Sequence, residues 1–260
     1  MPEVVIPSTI MKSLFTWILL FLGLSLVSRA QPVRVAVAAN AQFVIKILQK
    51  DFEKKTGVKT EIITGSSGKI TAQIKNGAPY DIFLSADMAY PTNLFKSGFG
   101  LNAPKVYALG SLIVCSTADL TLENWRQLLT TSSINKIALA NPALAPYGQA
   151  AREALQHYGI WEKVQPKLVY GESIAQVNTY ITTGAVKIGF TSEALIYENP
   201  NKNKFKWVRV ENKVYSTMEQ GMVVLSHAKK GNYAHAMQFY AYLSSPAAQQ
   251  IFRQNGYRVP

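Results

Sequence analysis

The chain shows a repeating pattern of short apolar runs followed by stretches whose apolar residues recur at helical spacing. The first run, residues 33–39, is rich in Val and Ala and is typical of a buried β-strand. The next stretch has five apolar residues that we expect on one buried helical face: Phe43, Val44, Ile47, Leu48 and Phe52. Gly57 is the predicted end of this helix. The chain therefore opens with a strand–turn–helix unit.

The same unit recurs along the rest of the sequence. Further predicted strands are residues 60–64, 81–85, 136–140, 167–170, 187–191 and 221–225. Further helical patterns cover residues 149–158, 174–182, 233–243 and 247–255, and a helix that carries Ile70 and Ile74 ends at Gly77. Strands that alternate with helices of about 10 to 15 residues are typical of βαβ units. We therefore predict an α/β fold with mainly parallel sheets.

The order of these units predicts two lobes. One group of βα units precedes a crossing near Cys115, a second group follows it, and the chain returns near Gly221. We place lobe I at residues 31–114 and 222–260 and lobe II at residues 115–221, joined by two crossover strands. A ligand is expected in the cleft between the lobes, where the strands of parallel sheets end.

The first 30 residues have the pattern of a secretory signal peptide. Lys12 precedes an apolar run at residues 14–27, and Ser28, Arg29 and Ala30 form a small-x-small cleavage signal. The run is shorter than the ~20 residues that a membrane-spanning helix needs. No cysteine lies near the cleavage site, so a lipid anchor is not supported. We predict a soluble exported protein that begins at Gln31, and Met11 is an alternative start.

Net charge and cysteine content exclude few classes of function. The formal net charge of +12 is compatible with a nucleic acid, an anionic membrane or a small anion as partner. The basic residues are scattered, without an Arg-rich block, so charge alone does not choose among these partners. Cys115 is the single cysteine, which excludes a disulfide within the chain, and we expect it to be a buried apolar residue. Asp81 and Asp87 lack an accompanying nucleophile or metal cluster, so we interpret them as turn and packing residues.

Four predicted strand-to-helix turns carry residues that suit an anion: Asn40, Ser66 with Ser67, Tyr147 with Gly148, and Ser173. A helix begins with unpaired N–H groups and about half a positive charge. Four such helix starts around one cleft would offset a dianion without a Lys or Arg side chain. Each turn also fits an ordinary helix cap, so the interpretation depends on all four meeting in space.

The type of donor limits the type of anion. Molybdate, tungstate and sulfate are fully deprotonated near neutral pH and only accept hydrogen bonds, whereas hydrogen phosphate also needs an acceptor. A carboxylate in the cleft would repel a fully deprotonated oxyanion, so we expect Glu172 and Glu193 to point outward. The segment from Gly65 to Lys69 has the wrong glycine spacing for a phosphate loop, which argues against nucleotide binding.

Five segments in order resemble the periplasmic molybdate-binding proteins of ABC importers, a family of solute-binding proteins. They read V-A-V-A-A-N-A, G-S-S-G-K-I-T-A-Q-I-K-N-G-A-P-Y-D-I-F-L-S-A-D, N-P-A-L-A-P-Y-G-Q-A-A-R-E-A-L, L-V-Y-G-E-S-I-A-Q-V and S-S-P-A-A-Q-Q-I-F-R-Q-N-G-Y. The resemblance spans residues 33–258 and is most specific from Gly65 to Asp87. It implies a type II periplasmic-binding-protein fold that closes over molybdate, and with it tungstate, and a surface read by a membrane permease.

The resemblance also implies the residues of an oxyanion site. They are Asn40 in place of a Ser, Ser67 with Ser66 beside it, the backbone N–H groups of Tyr147 and Ile174, and Ser192. Some members of the family have a Tyr at the last position, which a gap-free count from Ile174 places on Ser192. We hypothesise that the Tyr147 hydroxyl compensates for this difference from across the cleft. The same residues would hold molybdate or tungstate through its oxygens, with no direct metal ligand and no cofactor.

Two other classes of function stay open at this point. Another tetrahedral oxyanion such as sulfate would suit the same turns, and an exported enzyme could use a similar scaffold. A regulator would need a DNA-binding helix pair and no export signal, which is the reverse of the pattern in this sequence. We therefore expect a periplasmic binding protein, not an enzyme, that acts as a monomer with an ABC permease and does not bind nucleic acid.

Overall fold

The computed structural model describes residues 31–260, in which two five-stranded sheets are covered by helices. The predicted α/β fold class is confirmed by this architecture. The predicted signal peptide at residues 1–30 lies outside the described residues. Between residues 31 and 260, none of the helices is long and apolar enough to cross a membrane.

The strands form one sheet in each lobe. In chain order they are β1 (Val33–Ala38), β2 (Thr60–Gly65), β3 (Ile82–Leu84), β4 (Lys105–Leu109), β5 (Leu112–Ser116), β6 (Ile137–Ala140), β7 (Leu168–Gly171), β8 (Ile188–Ser192), β9 (Lys206–Arg209) and β10 (Glu219–Val224). The first sheet has the order β2-β1-β3-β10-β4 and the second has the order β7-β6-β8-β5-β9. The central pairs β1–β2, β1–β3, β6–β7 and β6–β8 are parallel, and the strands near the crossings pair antiparallel.

Between residues 31 and 260 there are ten α-helices, of which six are predicted by the sequence pattern and four short ones are not. They are α1 (Gln42–Thr56), α2 (Ser67–Lys75), α3 (Ala89–Lys96), α4 (Trp125–Thr130), α5 (Pro146–His157), α6 (Trp161–Val164), α7 (Ile174–Thr182), α8 (Ala194–Glu198), α9 (Tyr233–Leu243) and α10 (Pro246–Gln254). The four that the pattern did not predict are α3, α4, α6 and α8. The last two of the ten helices belong to the first lobe, where Phe52 of α1 packs edge-on against Phe239 of α9 at 4.9 Å between ring centroids. The carboxyl-terminal residues therefore complete the core that the amino-terminal residues begin.

The buried face of α1 differs from the prediction. Phe43 and Ile47 are 42% and 45% exposed, and the fully buried residues are Val44, Ile45, Leu48 and Phe52. At 100° per residue the four buried residues fall within an arc of about 100°. Phe43 and Ile47 lie outside that arc. The apolar residues of α1 outnumber the positions that one face can bury. Spacing alone therefore wrongly predicted that Phe43 and Ile47 are buried.

The chain passes between the lobes slightly earlier than predicted in both directions. It leaves the first sheet after Leu109 and enters the second at Leu112, and it re-enters the first sheet at Glu219. The predicted boundaries at residues 114/115 and 221/222 therefore fall inside β5 and β10. An apolar run shows where a strand lies but does not show which of two sheets it joins.

Buried tyrosines fill the region where the chain crosses between the lobes. Tyr107, Tyr147 and Tyr257 are each at most 4% exposed. A Cβ atom on Gly110 would lie 2.1 Å from the Tyr147 hydroxyl oxygen. Only glycine leaves room at this position, so the first crossing is shaped by the tyrosine that packs against it.

Glu198 is a half-buried residue beside this tyrosine cluster, and one oxygen of its carboxyl group is fully buried. It ends α8, a helix of the second lobe that packs on the Ala39–Ala41 turn of the first lobe. Within residues 31–260 its Oε1 atom is buried without a hydrogen-bond partner. This burial raises the pKa of the carboxyl group to about 8. The folded protein therefore holds a proton on Glu198 at neutral pH.

We expect the pKa of Glu198 to make the fold less stable at alkaline pH. Its folded pKa of about 8 exceeds the ordinary value of 4.5, so the native state binds the extra proton between these two values. The free energy of unfolding then falls as pH rises through this window, by up to about 1.4 kcal/mol per pH unit. Glu198→Gln should abolish this part of the pH dependence, as measured by urea unfolding at pH 6 and pH 8.5.

The exposed Glu162 offers a matched control for this measurement. Glu162→Gln should reproduce the wild-type fall in the free energy of unfolding between the two pH values. An equal fall in the Glu198→Gln variant would mean that this carboxyl group is already ionised in the folded protein.

Candidate functional site

A small cavity lies between the two lobes at the carboxyl ends of their parallel strands. The residues that line it are Ala38, Ala39, Asn40, Ser66, Ser67, Ala86, Ala145, Pro146, Tyr147, Ser173 and Ile174. They come from the turns after β1, β2 and β3 in the first lobe and after β6 and β7 in the second. Asn40, Ser66, Ser67, Tyr147 and Ile174, which lie far apart in the sequence, are thus brought together around one space.

The serine pair at the start of α2 supplies a free hydroxyl donor. Ser66 is the N-cap of α2, and its Oγ accepts a hydrogen bond from Lys69 N at 3.4 Å. Ser67 is 1% exposed, and its Oγ accepts from Ala86 N at 3.1 Å. Because this bond uses Ser67 Oγ as an acceptor, the hydroxyl proton is left to donate into the cavity. Ser66 shapes the turn, and Ser67 is the better candidate for ligand contact.

Two helix starts from the second lobe face the same cavity. Pro146 begins α5 and fixes the backbone of its first turn, which places the Tyr147 N–H at the second helical position. Ile174 begins α7 after Ser173. N–H groups in the first turn of a helix have no acceptor inside the helix, and they carry the positive end of its dipole. The two backbone N–H groups expected from the resemblance, those of Tyr147 and Ile174, therefore lie at the cavity and are available to an anion.

Asn40 is held at the opposite wall by a residue that the sequence analysis missed. Asn40 is 3% exposed, and its Nδ2 donates to Gln220 Oε1 at 2.9 Å. The Asn40 carbonyl oxygen accepts a 2.6 Å hydrogen bond from the Tyr257 hydroxyl. Gln220 is fully buried in β10, 180 residues along the chain from Asn40. No local pattern marks such a partner, since the contact exists only because β10 returns to the first sheet.

The hydroxyl groups of Tyr147 and Ser192 do not have the places expected for them. The Tyr147 hydroxyl lies among the buried tyrosines at the crossing between the lobes (the hinge), 3.4 Å from Gln220 Nε2 and against Gly110. The hypothesis that this hydroxyl reaches the ligand from across the cleft is therefore wrong. Ser192 ends β8 opposite Leu112 and does not line the cavity. Its placement rested on a gap-free count through a region where the chain turns toward the crossing.

No charged side chain lines the cavity within residues 31–260. Glu172 lies at the cleft mouth, where its carboxylate pairs with Lys69 of the other lobe at 2.8 Å. Glu193 also stays out of the cavity, as expected, but it is buried (3% exposed) and does not extend into solvent. Its carboxylate is instead bound by the Arg209 guanidinium on the hinge side, through Arg209 Nε at 2.7 Å among other contacts. Both carboxylates are therefore kept away from the cavity.

Hydrogen bonds between the lobes hold the cleft closed beside the cavity. Gly68 N donates to Leu144 O at 2.9 Å, and the Tyr90 hydroxyl donates to Ala143 O at 3.4 Å. A Cβ atom on Gly68 would lie 3.0 Å from Leu144 O and 2.9 Å from the Tyr90 hydroxyl oxygen. The backbone of α2 can approach the second lobe this closely because residue 68 has no side chain.

The remaining chemistry-bearing residues have structural partners. Asp81 accepts hydrogen bonds from Arg34 N and Asn232 Nδ2, both at 2.9 Å, and contacts His227 Nδ1 at 2.9 Å. Asp87 accepts from Tyr90 N at 3.2 Å near the start of α3. Burial raises the pKa of the Cys115 thiol to about 12, so it is neutral and unreactive as a nucleophile. These contacts fit the packing and turn roles expected for all three residues.

Residues 33–258 match the model of a protein family described as bacterial extracellular solute-binding protein. The chain belongs to this family. Among similar proteins, the molybdate-binding protein ModA of Azotobacter vinelandii is 33% identical over 90% of this chain and 92% of its own length. The molybdate-binding protein ModA of Rhodobacter capsulatus is 32% identical over 93% of this chain and 94% of its own length.

The solved structure of the Azotobacter vinelandii periplasmic molybdate-binding protein superposes on this solute-binding protein with a TM-score of 0.80. It is 31% identical, and the match covers 88% of this chain and 99% of that one. The likeness confirms the two-lobed type II fold. It also confirms the resemblance that the five sequence segments indicated.

We expect Gly68→Ala to weaken ligand binding without weakening the fold. The added methyl group meets Leu144 of the other lobe only when the lobes are closed, and crowding of this kind costs about 1–3 kcal/mol. The Tyr90 hydroxyl, which lies in the same lobe as Gly68, is the end of a flexible side chain that can move aside. Alanine is also the better helix former, so the ligand-free protein should unfold at the same temperature or higher. Calorimetric titration with molybdate, the ligand expected from the sequence, should show an affinity loss of roughly tenfold or more. Lys75→Ala, at the far end of α2, is the control, and equal affinities for the two variants would contradict the closed geometry.

A pair of serine variants tests which hydroxyl reaches the ligand. Ser67→Ala removes a donor that faces the cavity, and a lost hydrogen bond to a charged group costs about 1.5–3 kcal/mol, or roughly tenfold to a hundredfold in affinity. Ser192→Ala should leave the affinity for molybdate unchanged because Ser192 does not line the cavity. A loss in the Ser192 variant that equals the loss in the Ser67 variant would restore the original placement.

Proposed function

We propose that this solute-binding protein captures molybdate, and with it tungstate, in the cleft between its lobes and delivers it to an ABC importer. The observation that carries the proposal is a cavity between the lobes that is lined only by neutral residues and includes the Ser67 hydroxyl and the N–H groups of Tyr147 and Ile174. The likeness to molybdate-binding proteins over nearly the whole chain supports the choice of anion.

Neutral donors suit a dianion that must be both bound and released. The starts of α2, α5 and α7 each place about half a positive charge at the cavity, which offsets a double negative charge in part. The Ser67 hydroxyl and the N–H groups of Tyr147 and Ile174 satisfy oxygens that only accept hydrogen bonds. A guanidinium in the same place would add a strong, persistent attraction for any anion. The donor set therefore favours an oxyanion chosen by shape and protonation.

The same donor set disfavours hydrogen phosphate. Its proton requires an acceptor, and neither Glu172 nor Glu193 reaches the cavity. A donor site with no acceptor leaves that proton unsatisfied, which costs binding energy relative to molybdate. Sulfate has the right protonation state but is smaller, so its exclusion depends on how tightly the closed lobes enclose the anion.

The cellular role follows from the family and from the amino-terminal sequence. The signal-peptide pattern at residues 1–30 and the periplasmic relative of Azotobacter vinelandii support action in the periplasm. In this proposal the protein acts as a monomer, and closure forms the surface that a membrane permease recognises. In this proposal no bond of the anion is made or broken, so the role is binding and not catalysis.

A thermal-shift series on the mature protein tests the proposed ligand. Molybdate, tungstate, sulfate and phosphate are compared at equal concentration. A ligand at a hundred times its dissociation constant adds about 2.7 kcal/mol of stability. We expect molybdate and tungstate to raise the unfolding temperature clearly, while sulfate and phosphate have little effect.

Each other result would redirect the assignment. A shift with sulfate or phosphate alone would support an anion site between the lobes but would rule out molybdate and tungstate as its ligand. The absence of any shift would leave an organic anion or another role. Turnover of a candidate substrate by the purified protein would revive the alternative of an exported enzyme.

A further inference from the structure

Gln220 links the candidate site to both lobes at the hinge. It is fully buried in β10, and its Oε1 accepts hydrogen bonds from Asn40 Nδ2 and from the Tyr107 hydroxyl, each at 2.9 Å. Its Nε2 donates to the Tyr147 hydroxyl at 3.4 Å. Asn40 and Tyr107 belong to the first lobe and Tyr147 belongs to the second. A single side chain thus contacts a wall of the cavity and the packing between the lobes.

In this arrangement Asn40 presents the wrong end of its amide to an anion. One of the two hydrogens on its Nδ2 is donated to Gln220, and its Oδ1 is buried without a partner within residues 31–260. Asn40 lines the cavity, and the end of its amide that is not bonded to Gln220 is the carbonyl oxygen, so we infer that this end would meet an oxyanion oxygen. Two acceptors facing each other repel, and each is left unsatisfied.

Turning both amides by 180° resolves this conflict without moving any other non-hydrogen atom, because the Tyr107 and Tyr147 hydroxyl hydrogens can rotate. The two ends of an Asn or Gln amide are nearly equal in shape, so the distances stay the same while each bond to Gln220 reverses. Gln220 Nε2 then donates to Asn40 Oδ1 and to the Tyr107 hydroxyl. The Tyr107 hydroxyl in turn donates to Ser85 O, which lies 3.2 Å away. The Tyr147 hydroxyl donates to Gln220 Oε1, and Asn40 Nδ2 becomes free to donate to the ligand.

We propose that Gln220 is a positioning residue that orients the Asn40 amide with its N–H groups toward the oxyanion. The orientation of Gln220 is fixed in turn by its hydrogen bonds to the Tyr107 and Tyr147 hydroxyls. This inference rests on the proposed function, because it needs a ligand that only accepts hydrogen bonds. The anion selects the reversed set of bonds, in which every member of the network has a partner. In the other set of bonds, Asn40 Oδ1 is left without a partner.

The network makes Gln220 a determinant of selectivity. With Asn40 as a donor, the cavity favours molybdate over an anion that carries a proton. With Asn40 as an acceptor, the cavity accommodates the proton of hydrogen phosphate. The choice between them depends on whether residue 220 can donate to Asn40, which glutamine can do and a carboxylate cannot.

Gln220→Glu is the direct test, with Gln220→Met as a second variant that keeps the size but introduces no charge. A carboxylate at position 220 only accepts, so it holds Asn40 Nδ2 and turns Asn40 Oδ1 to the ligand. We expect the affinity for molybdate to fall at least tenfold in both variants, measured by calorimetry at pH 7.5. The ratio of molybdate affinity to phosphate affinity should fall most in the Glu variant. Thermal unfolding of the ligand-free variants checks that they are folded.

A double-mutant cycle with Asn40→Ala separates positioning from a general structural effect. If Gln220 acts through Asn40, Gln220→Glu should change molybdate affinity less than threefold once Asn40 is alanine. A tenfold loss that persists in the Asn40→Ala background would overturn the inference, as would wild-type affinity in the Glu variant. Failure of the wild-type protein to bind molybdate would instead overturn the proposed function.

Discussion

A small dianion can be enclosed without a cationic side chain only where many neutral donors converge on it. This constraint explains why the site lies between two lobes and not within one. A parallel sheet brings its helix starts to one edge, but the starts that follow β1 and β2 cover only one side of an anion. The starts of α5 and α7 cover the other side. The chain has a formal charge of +12, yet none of that charge lines the cavity within the described residues.

Closure and binding are therefore one event in this architecture. The N–H of Gly68 bonds to Leu144 only when the lobes meet, and Lys69 pairs with Glu172 across the mouth of the same cleft. These contacts are weak singly: the ion pair is about half exposed and is screened by salt. In the proposed function the anion supplies the remaining attraction, because its oxygens satisfy donors from both sides. A tighter set of lobe contacts would hold the empty protein shut and lower the fraction able to accept a ligand.

The sequence predicts the elements of this fold well because each one has a local cause. The run of residues 33–39 and the glycine at 57 mark a strand and a helix end, and the structure has both. The five residues that meet in the cavity follow from strand ends and from the family resemblance together. Gln220 could not be found this way, since its contact with Asn40 depends on the return of β10 to the first sheet. The predictions that Ser192 lines the site and that Phe43 and Ile47 are buried were wrong for a related reason. Spacing gives the order of residues, but packing decides which of them face inward.

Selectivity in such a site depends on groups whose polarity can be reversed. Backbone N–H groups at helix starts are fixed donors. The Ser67 hydroxyl is also fixed as a donor toward the cavity, because its oxygen already accepts a hydrogen bond from Ala86 N. The Asn40 amide is different, because either of its ends can face the ligand. Its direction is set by Gln220, whose own direction depends on the Tyr107 and Tyr147 hydroxyls. The least fixed donor in the cavity is thus controlled from the region where the chain crosses between the lobes.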